Sequence, residues 1–136
     1  SMDGAWGTWV GRWTAEETLH AIALREYLMV TRNIDPNADE HVRVNHVMRG
    51  YRAENYTQLE TLVFMALWER AHLVFLRNLE AKIDEPVLKK LVGRIARDEE
   101  RHLGFFSNLV AHCLEHHRDQ TINAISRRAI GLPVIG

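Results

Sequence analysis

The sequence has 136 residues, with 17 Lys and Arg against 18 Asp and Glu, and a formal net charge of −1. That length supports one hydrophobic core without staples, and 46% hydrophobic with 26% charged residues is ordinary globular composition. The near-neutral charge, with no clustered basic stripe, argues against a nucleic-acid binder. The longest apolar run, Leu62 to Trp68, is far too short to span a membrane. The single cysteine, Cys113, excludes an internal disulfide and suits a reducing, cytoplasmic setting.

Ser1-Met2 reads as an appended residue before a start, with no signal peptide behind it. A first helix is expected from about Trp6 to Thr31, weakened at its start by Gly7 and Gly11. Asp35-Pro36 supplies an N-cap and a proline at the first helical position. A shorter second helix therefore runs to about Arg49, where Gly50 ends it. The third helix spans about Thr57 to Lys82. Asp84-Glu85-Pro86 punctuates, and a fourth continues to about His117. A short fifth, around Gln120 to Ala129, precedes the Gly131-Leu132-Pro133 tail. Strand-like alternation, internal repeats and low-complexity segments are absent. The expectation is a single all-α domain over residues 1–136, with a short tail from about residue 130.

The apolar stripes of the three long helices are interrupted by acids and histidines. The first presents Trp9, Trp13, Leu24 and Leu28 on one face, and Glu17 and His20 fall within the same arc. In the third, Leu62, Met65, Ala66, Leu73 and Leu76 flank Glu69. In the fourth, Leu88, Leu91, Ile95, Phe106, Leu109 and Cys113 form the stripe, with Glu99 and His102 in its middle. Helical phase separates neighbouring acids: Glu99 lies about 60° from His102, whereas Glu100 lies about 160° away and faces outward. The same phase favours Glu17 over Glu16. A buried carboxylate without a partner is too costly to occur on three helices, so these groups call for partners or a cation.

With 12 Glu and 8 His in the chain, chance placement gives only about 0.7 Glu-x-x-His pairs, the helical motif of carboxylate metal sites. Three occur: Glu17/His20, Glu69/His72 and Glu99/His102. One such pair reads best as a surface contact or a satisfied core histidine. Two on separate stripes, plus a third buried Glu, favour a metal. Residues i and i+3 project side by side and offer one oxygen and one nitrogen. An oxygen-rich set with two histidines suits iron or manganese better than zinc. Two Glu-x-x-His helices, with single Glu residues from two more, form the ligand pattern of ferritin-like di-iron bundles.

The segment Trp13-Thr14-Ala15-Glu16-Glu17-Thr18-Leu19-His20 resembles the first of the ordered metal motifs of the soluble acyl-acyl-carrier-protein desaturases. Glu69-Arg70-Ala71 resembles their third metal helix, and Asp98-Glu99-Glu100-Arg101-His102 their last. The run from Ala21 to Pro36 is similar to the actinobacterial branch. The resemblance extends from about Asp3 to Ala129. It implies a ferritin-like bundle and a non-haem di-iron centre, where the donor set read above would also accept manganese in place of iron. It also implies O2-dependent insertion of a double bond into a fatty acyl chain on acyl carrier protein, with electrons from a ferredoxin-type donor. Under it Glu17 and Glu99 are bridging carboxylates, His20 binds one iron, and Glu69 and His102 bind the other. Trp13 and Asp98 match residues placed to orient His20; the plain reading of Trp13 is a core aromatic.

Three departures accompany the match. The family's fourth carboxylate comes from a helix before the first motif, which this sequence does not contain. The fold expected is thus a ferritin-like bundle lacking the first metal-ligand helix, and a homodimer would cover the apolar stripe so exposed. Thr18 and Leu19 replace the usual Asn-Arg. His72 stands where a threonine is common, either as a ligand or as a lining residue beside the site. A module that keeps the motifs without the catalysis is the alternative from a different functional class. Elsewhere, His112, His116 and His117 suggest a second metal site, against the plainer reading of a solvated helix end favoured by the helix dipole. Arg43, Arg49 and Arg52 read as surface charge more simply than as a docking patch for an acidic carrier.

Overall fold

Five helices make up most of residues 4–50 and 56–132, the part of the chain described by the computed structural model. They are α1 (Gly4–Val30), α2 (Pro36–Arg49), α3 (Gln58–Lys82), α4 (Pro86–His116) and α5 (Arg118–Ile130). The architecture is all-α, with each helix within a few residues of its expected limits. Arg52 and the tail from Pro133 onward lie outside the described residues. The chain divides into two compact units, Ser1–Glu54 and Asn55–Gly136.

In the first unit, α1 runs unbroken through Gly7 and Gly11. The hydroxyls of Thr8, Thr14 and Thr18 each donate to the carbonyl four residues earlier, at 3.0, 2.8 and 2.8 Å. Trp9 and Trp13 stack one turn apart, with ring centroids 5.9 Å apart. The helix ends as Asn33 N–H donates to Leu28 O and Arg32 takes a positive φ of 56°. Asp35 then caps α2, its Oδ1 accepting from Asn37 N–H at 2.9 Å, with Pro36 in the first turn. An ion pair from Arg25 Nε to Asp39 Oδ2 at 3.0 Å ties α2 to α1. Arg43 makes two bonds to Glu40, at 2.9 and 2.7 Å, which supports reading it as ordinary surface charge.

The second unit is an antiparallel helical hairpin with α5 packed on it. Thr57 and Glu60 form a reciprocal capping box at the start of α3. Only Ile83, Asp84 and Glu85 separate α3 from α4, so the helices must run back along each other. Glu85 caps α4 by accepting from Val87 and Leu88 N–H, at 2.9 and 2.6 Å. Gly93 is buried under the carboxylate of Glu80, where a Cβ would collide with it. Val63, Leu73, Leu76, Val92, Ile95, Ala96 and Phe106 form the dry core. Val63 and Val92, absent from the expected stripes, are among its most buried residues, while Leu62, Met65, Leu88 and Leu91 are only half-buried. The seams of α3 and α4 are rotated slightly from the expected ones, because α5 covers part of the hairpin and buries Thr121 and Ala124 against it.

Two polar contacts hold α5. Arg127 Nη1 donates to Glu60 Oε1 at 3.2 Å, and the Arg128 guanidinium lies 3.7 Å from the Tyr56 ring centroid and 4.6 Å from that of Phe64. Glu60 thus caps one helix and pairs with another. Bonds from Thr57 and then Arg127 hold its carboxyl below the ordinary value of 4.5.

Two outcomes follow from this packing. Leu76→Ala should cost about 2–5 kcal/mol of unfolding free energy in a urea titration, the range for a buried leucine that cannot fully repack. A folded-state carboxyl with lowered pKa adds stability above its unfolded value and loses it as pH falls through the lowered one. The stability gap between the parent and Glu60→Gln should therefore be full near neutrality and close as pH falls below 4.5. Urea midpoints over a pH series would measure it.

Candidate metal centre

At mid-hairpin the core is not apolar. Glu69 of α3 and Glu99 and His102 of α4 are 2%, 0% and 2% exposed. One ligand-capable atom from each lies within 4.8 Å of the others. The short connection folds α4 back along α3 and brings them together, with His72 Nδ1 of α3 lying 3.6 Å from Glu99 Oε1 of α4 and Arg77 Nη2 reaching Glu100 Oε2 at 3.4 Å on the outer side. On α4, helical phase buries Glu99 and leaves the Glu100 side chain 64% exposed, opposite Arg77.

Glu99 is the hub. Its Oε2 lies 3.1 Å from His102 Nδ1, and its Oε1 lies 3.6 Å from His72 Nδ1. Each carboxylate oxygen therefore faces one imidazole, one on the same helix and one from across the hairpin. His72 is less buried than the other three, with 27% of its side chain exposed, and lies outside the closest donor cluster. Asp98 is also buried and accepts from Arg101 Nη2 at 2.6 Å and Arg94 Nε at 3.4 Å. Both arginines lie one turn away on its own helix. The expected apolar stripes did not include this acid, which the motif resemblance alone marks, and its flanking arginines at i−4 and i+3 account for its burial as an anion.

In the first unit, Glu17 and His20 are neighbours on α1. His20 Nδ1 lies 3.9 Å from Glu17 Oε1, as expected of an i, i+3 pair. His20 is nearly buried, whereas 37% of the Glu17 side chain is exposed, so the expected burial of Glu17 is only partial. Glu16 is held by Arg12 Nε at 3.0 Å. Trp13 stands one turn before Glu17, stacked on Trp9.

A cation would resolve the chemistry of the second-unit cluster. Two carboxylates in close, dry proximity cost several kcal/mol per ion to bury as anions. A divalent ion offsets that cost and suits oxygen donors supplemented by imidazole. The residues present therefore fit an iron-type site.

A family model described as fatty acid desaturase matches residues 1–134. The chain belongs to that family. It is 66% identical over 135 residues to DesA2 of Mycobacterium tuberculosis, which carries the name of an acyl-acyl-carrier-protein desaturase; the match covers 99% of this chain and 49% of DesA2. The chloroplastic stearoyl-acyl-carrier-protein 9-desaturase 6 of Arabidopsis thaliana is 31% identical, over 98% of this chain and 36% of the plant protein. The X-ray structure of DesA2 superposes with a TM-score of 0.85 at 60% identity, covering 96% of this chain and 50% of that one. The chain thus spans about half the length of DesA2. The all-α fold expected from the sequence pattern, and the desaturase-type bundle implied by the resemblance, are the fold found.

In this desaturase-family chain, Glu99→Gln should weaken divalent-metal binding more than His72→Thr. The second change should cost no more than about 10–100-fold, as for a side chain that orients a ligand. Metal titration of both variants against the parent measures the ranking, and equal losses would make His72 a ligand itself.

Proposed function

We propose that this chain is the metal-binding part of an acyl-acyl-carrier-protein desaturase-like di-iron oxidoreductase, with Glu17, His20, Glu69, Glu99 and His102 as metal ligands. The carrying observation is the buried donor cluster of Glu69, Glu99 and His102 in a chain of this family. Glu17 and His20 join the set through the motif resemblance and their adjacency on α1. The same reading takes a fatty acyl chain on acyl carrier protein as substrate, a ferredoxin-type protein as electron donor and a homodimer as the assembly. Among the described residues no helix is long and apolar enough to cross a membrane.

The chemistry that a bound iron pair supplies is reductive activation of O2, which removes two hydrogens from adjacent methylenes and leaves water. The chain's own residues prepare for it. Glu99 presents both oxygens to imidazoles, so its carboxylate is oriented before any ion enters. Val92, Ile95, Ala96 and Phe106 line the same face of α4 and exclude water, which strengthens every charge interaction at the cluster. Asp98, held by Arg94 and Arg101 next to Glu99 in the chain, would serve to orient His20 on the motif resemblance.

Iron should bind the purified, metal-stripped chain and raise its melting temperature. At free iron about a hundredfold over the dissociation constant, linkage contributes about 2.7 kcal/mol. Chelation should reverse the rise, and Glu69→Gln and Glu99→Gln should lack it. The iron-loaded chain, given O2, a reduced ferredoxin system and acyl-loaded carrier protein, should yield an acyl chain two hydrogens lighter by mass spectrometry. Bound iron without that product would sink the catalytic reading and leave a metal-binding module.

A further inference from the structure

The last turn of α4 carries a second set of metal-ligating side chains, well away from the buried cluster. His112, Glu115 and His116 occupy positions i, i+3 and i+4 and project from one side of the helix. One ligand-capable atom from each lies within 4.8 Å of the others. The two imidazole centroids are 4.2 Å apart. All three residues are exposed. His102 is ten residues back, about 15 Å along the helix axis. His117, grouped with these residues by sequence, stands apart: it caps α4, its backbone N–H donating to Cys113 O.

One hydrogen bond sets the chemistry of this triad. His116 Nδ1 lies 2.9 Å from the backbone carbonyl of His112. A carbonyl can only accept, so the ring proton sits on Nδ1 and donates. In the neutral ring this leaves the Nε2 lone pair open and the ring orientation fixed. Metal-binding histidines characteristically donate their other ring N–H in this way, which also raises the basicity of the ligating nitrogen. With the His116 ring so held, the exposed His112 and Glu115 side chains are the ones that would adjust around an ion. The negative end of the helix dipole favours a cation at this terminus.

We propose that His112, Glu115 and His116 form a surface site for a borderline divalent ion of the zinc class. Two imidazoles and one carboxylate are a nitrogen-rich set, which favours zinc, nickel or copper over the harder ions suited to oxygen donors. Water completes the coordination. The ion bridges successive turns and clamps the end of α4. That end needs support: His117 closes α4 and opens α5 in one residue, and α5 begins without a side-chain cap. The inference is independent of the buried iron-type centre, because no residue is shared.

The test uses the untagged, metal-stripped 136-residue chain, titrated with Zn2+ by calorimetry. Comparison variants are His112→Gln/His116→Gln, which alters only exposed side chains, and Glu69→Gln/Glu99→Gln, which disables the buried cluster. The parent should bind one zinc more per chain than the histidine variant, or bind that equivalent at least about tenfold more tightly. The buried-cluster variant should retain the surface equivalent. Hydrogen exchange of residues 112–120 should slow on zinc addition in the parent and stay unchanged in the histidine variant. Cu2+ in place of zinc should show electron paramagnetic resonance coupling to two imidazole nitrogens. Equal zinc stoichiometry and affinity in parent and histidine variant, with no local exchange protection, would overturn the proposal.

Discussion

The second unit is organised around a carboxylate where an apolar side chain would ordinarily sit. Glu99 is fully buried on the inner face of α4, and a second acid, Glu69, meets it from α3. Burial of an ion is tolerated only where the geometry offsets its lost hydration. Imidazoles face both Glu99 oxygens, and the surrounding valine, isoleucine and phenylalanine side chains keep the cluster dry. Stability alone would favour leucine at such a position. Keeping a charged cluster in the best-packed part of a hairpin is the stability cost commonly paid by a binding site.

That arrangement makes the hairpin's register a functional constraint. A shift of one residue between α3 and α4 would turn Glu69 by about 100° away from Glu99. The devices that prevent a shift lie at the ends of the helices. Thr57 and Glu60 fix the start of α3, Glu85 and Pro86 fix the start of α4, and the intervening connection has no slack. The close approach of Glu80 to Gly93 fits the two helices together between the turn and the cluster, and Arg77 reaches across to Glu100 beside the cluster. Glu60 extends the constraint to α5 through Arg127. The caps are thus part of the site, though none touches it.

Signals of this local kind were legible in the sequence. Asp35-Pro36, Gly50 and Glu85-Pro86 placed the helix limits because caps and prolines act within one turn. Phase along a single helix separated Glu99 from Glu100 for the same reason. The composition of the core was read less well, because Val63 and Val92 owe their burial to the angle at which α3, α4 and α5 meet. The Glu60–Arg127 pair spans 67 positions, and the stacking of Arg128 on Tyr56 and Phe64 is equally non-local. No periodicity encodes such contacts. The desaturase resemblance supplied what spacing alone could not, namely the family, and with it the proposed reaction and the proposed roles of individual ligands.

The two Glu/His groups on α4 show how burial, more than residue type, decides what a helix can bind. Glu99 and His102 sit where water is excluded and where α3 contributes a second carboxylate, so the set is oxygen-rich and dry. His112, Glu115 and His116 use the same side chains at nearly the same spacing, beyond the packed core. There the second carboxylate is replaced by a second imidazole and the remaining positions face solvent. Harder ions that benefit from a low local dielectric are drawn to the first set, and borderline ions that bind imidazole strongly in water to the second. A single amphipathic helix can therefore offer two chemically distinct sites through differences in depth and in what its neighbour contributes.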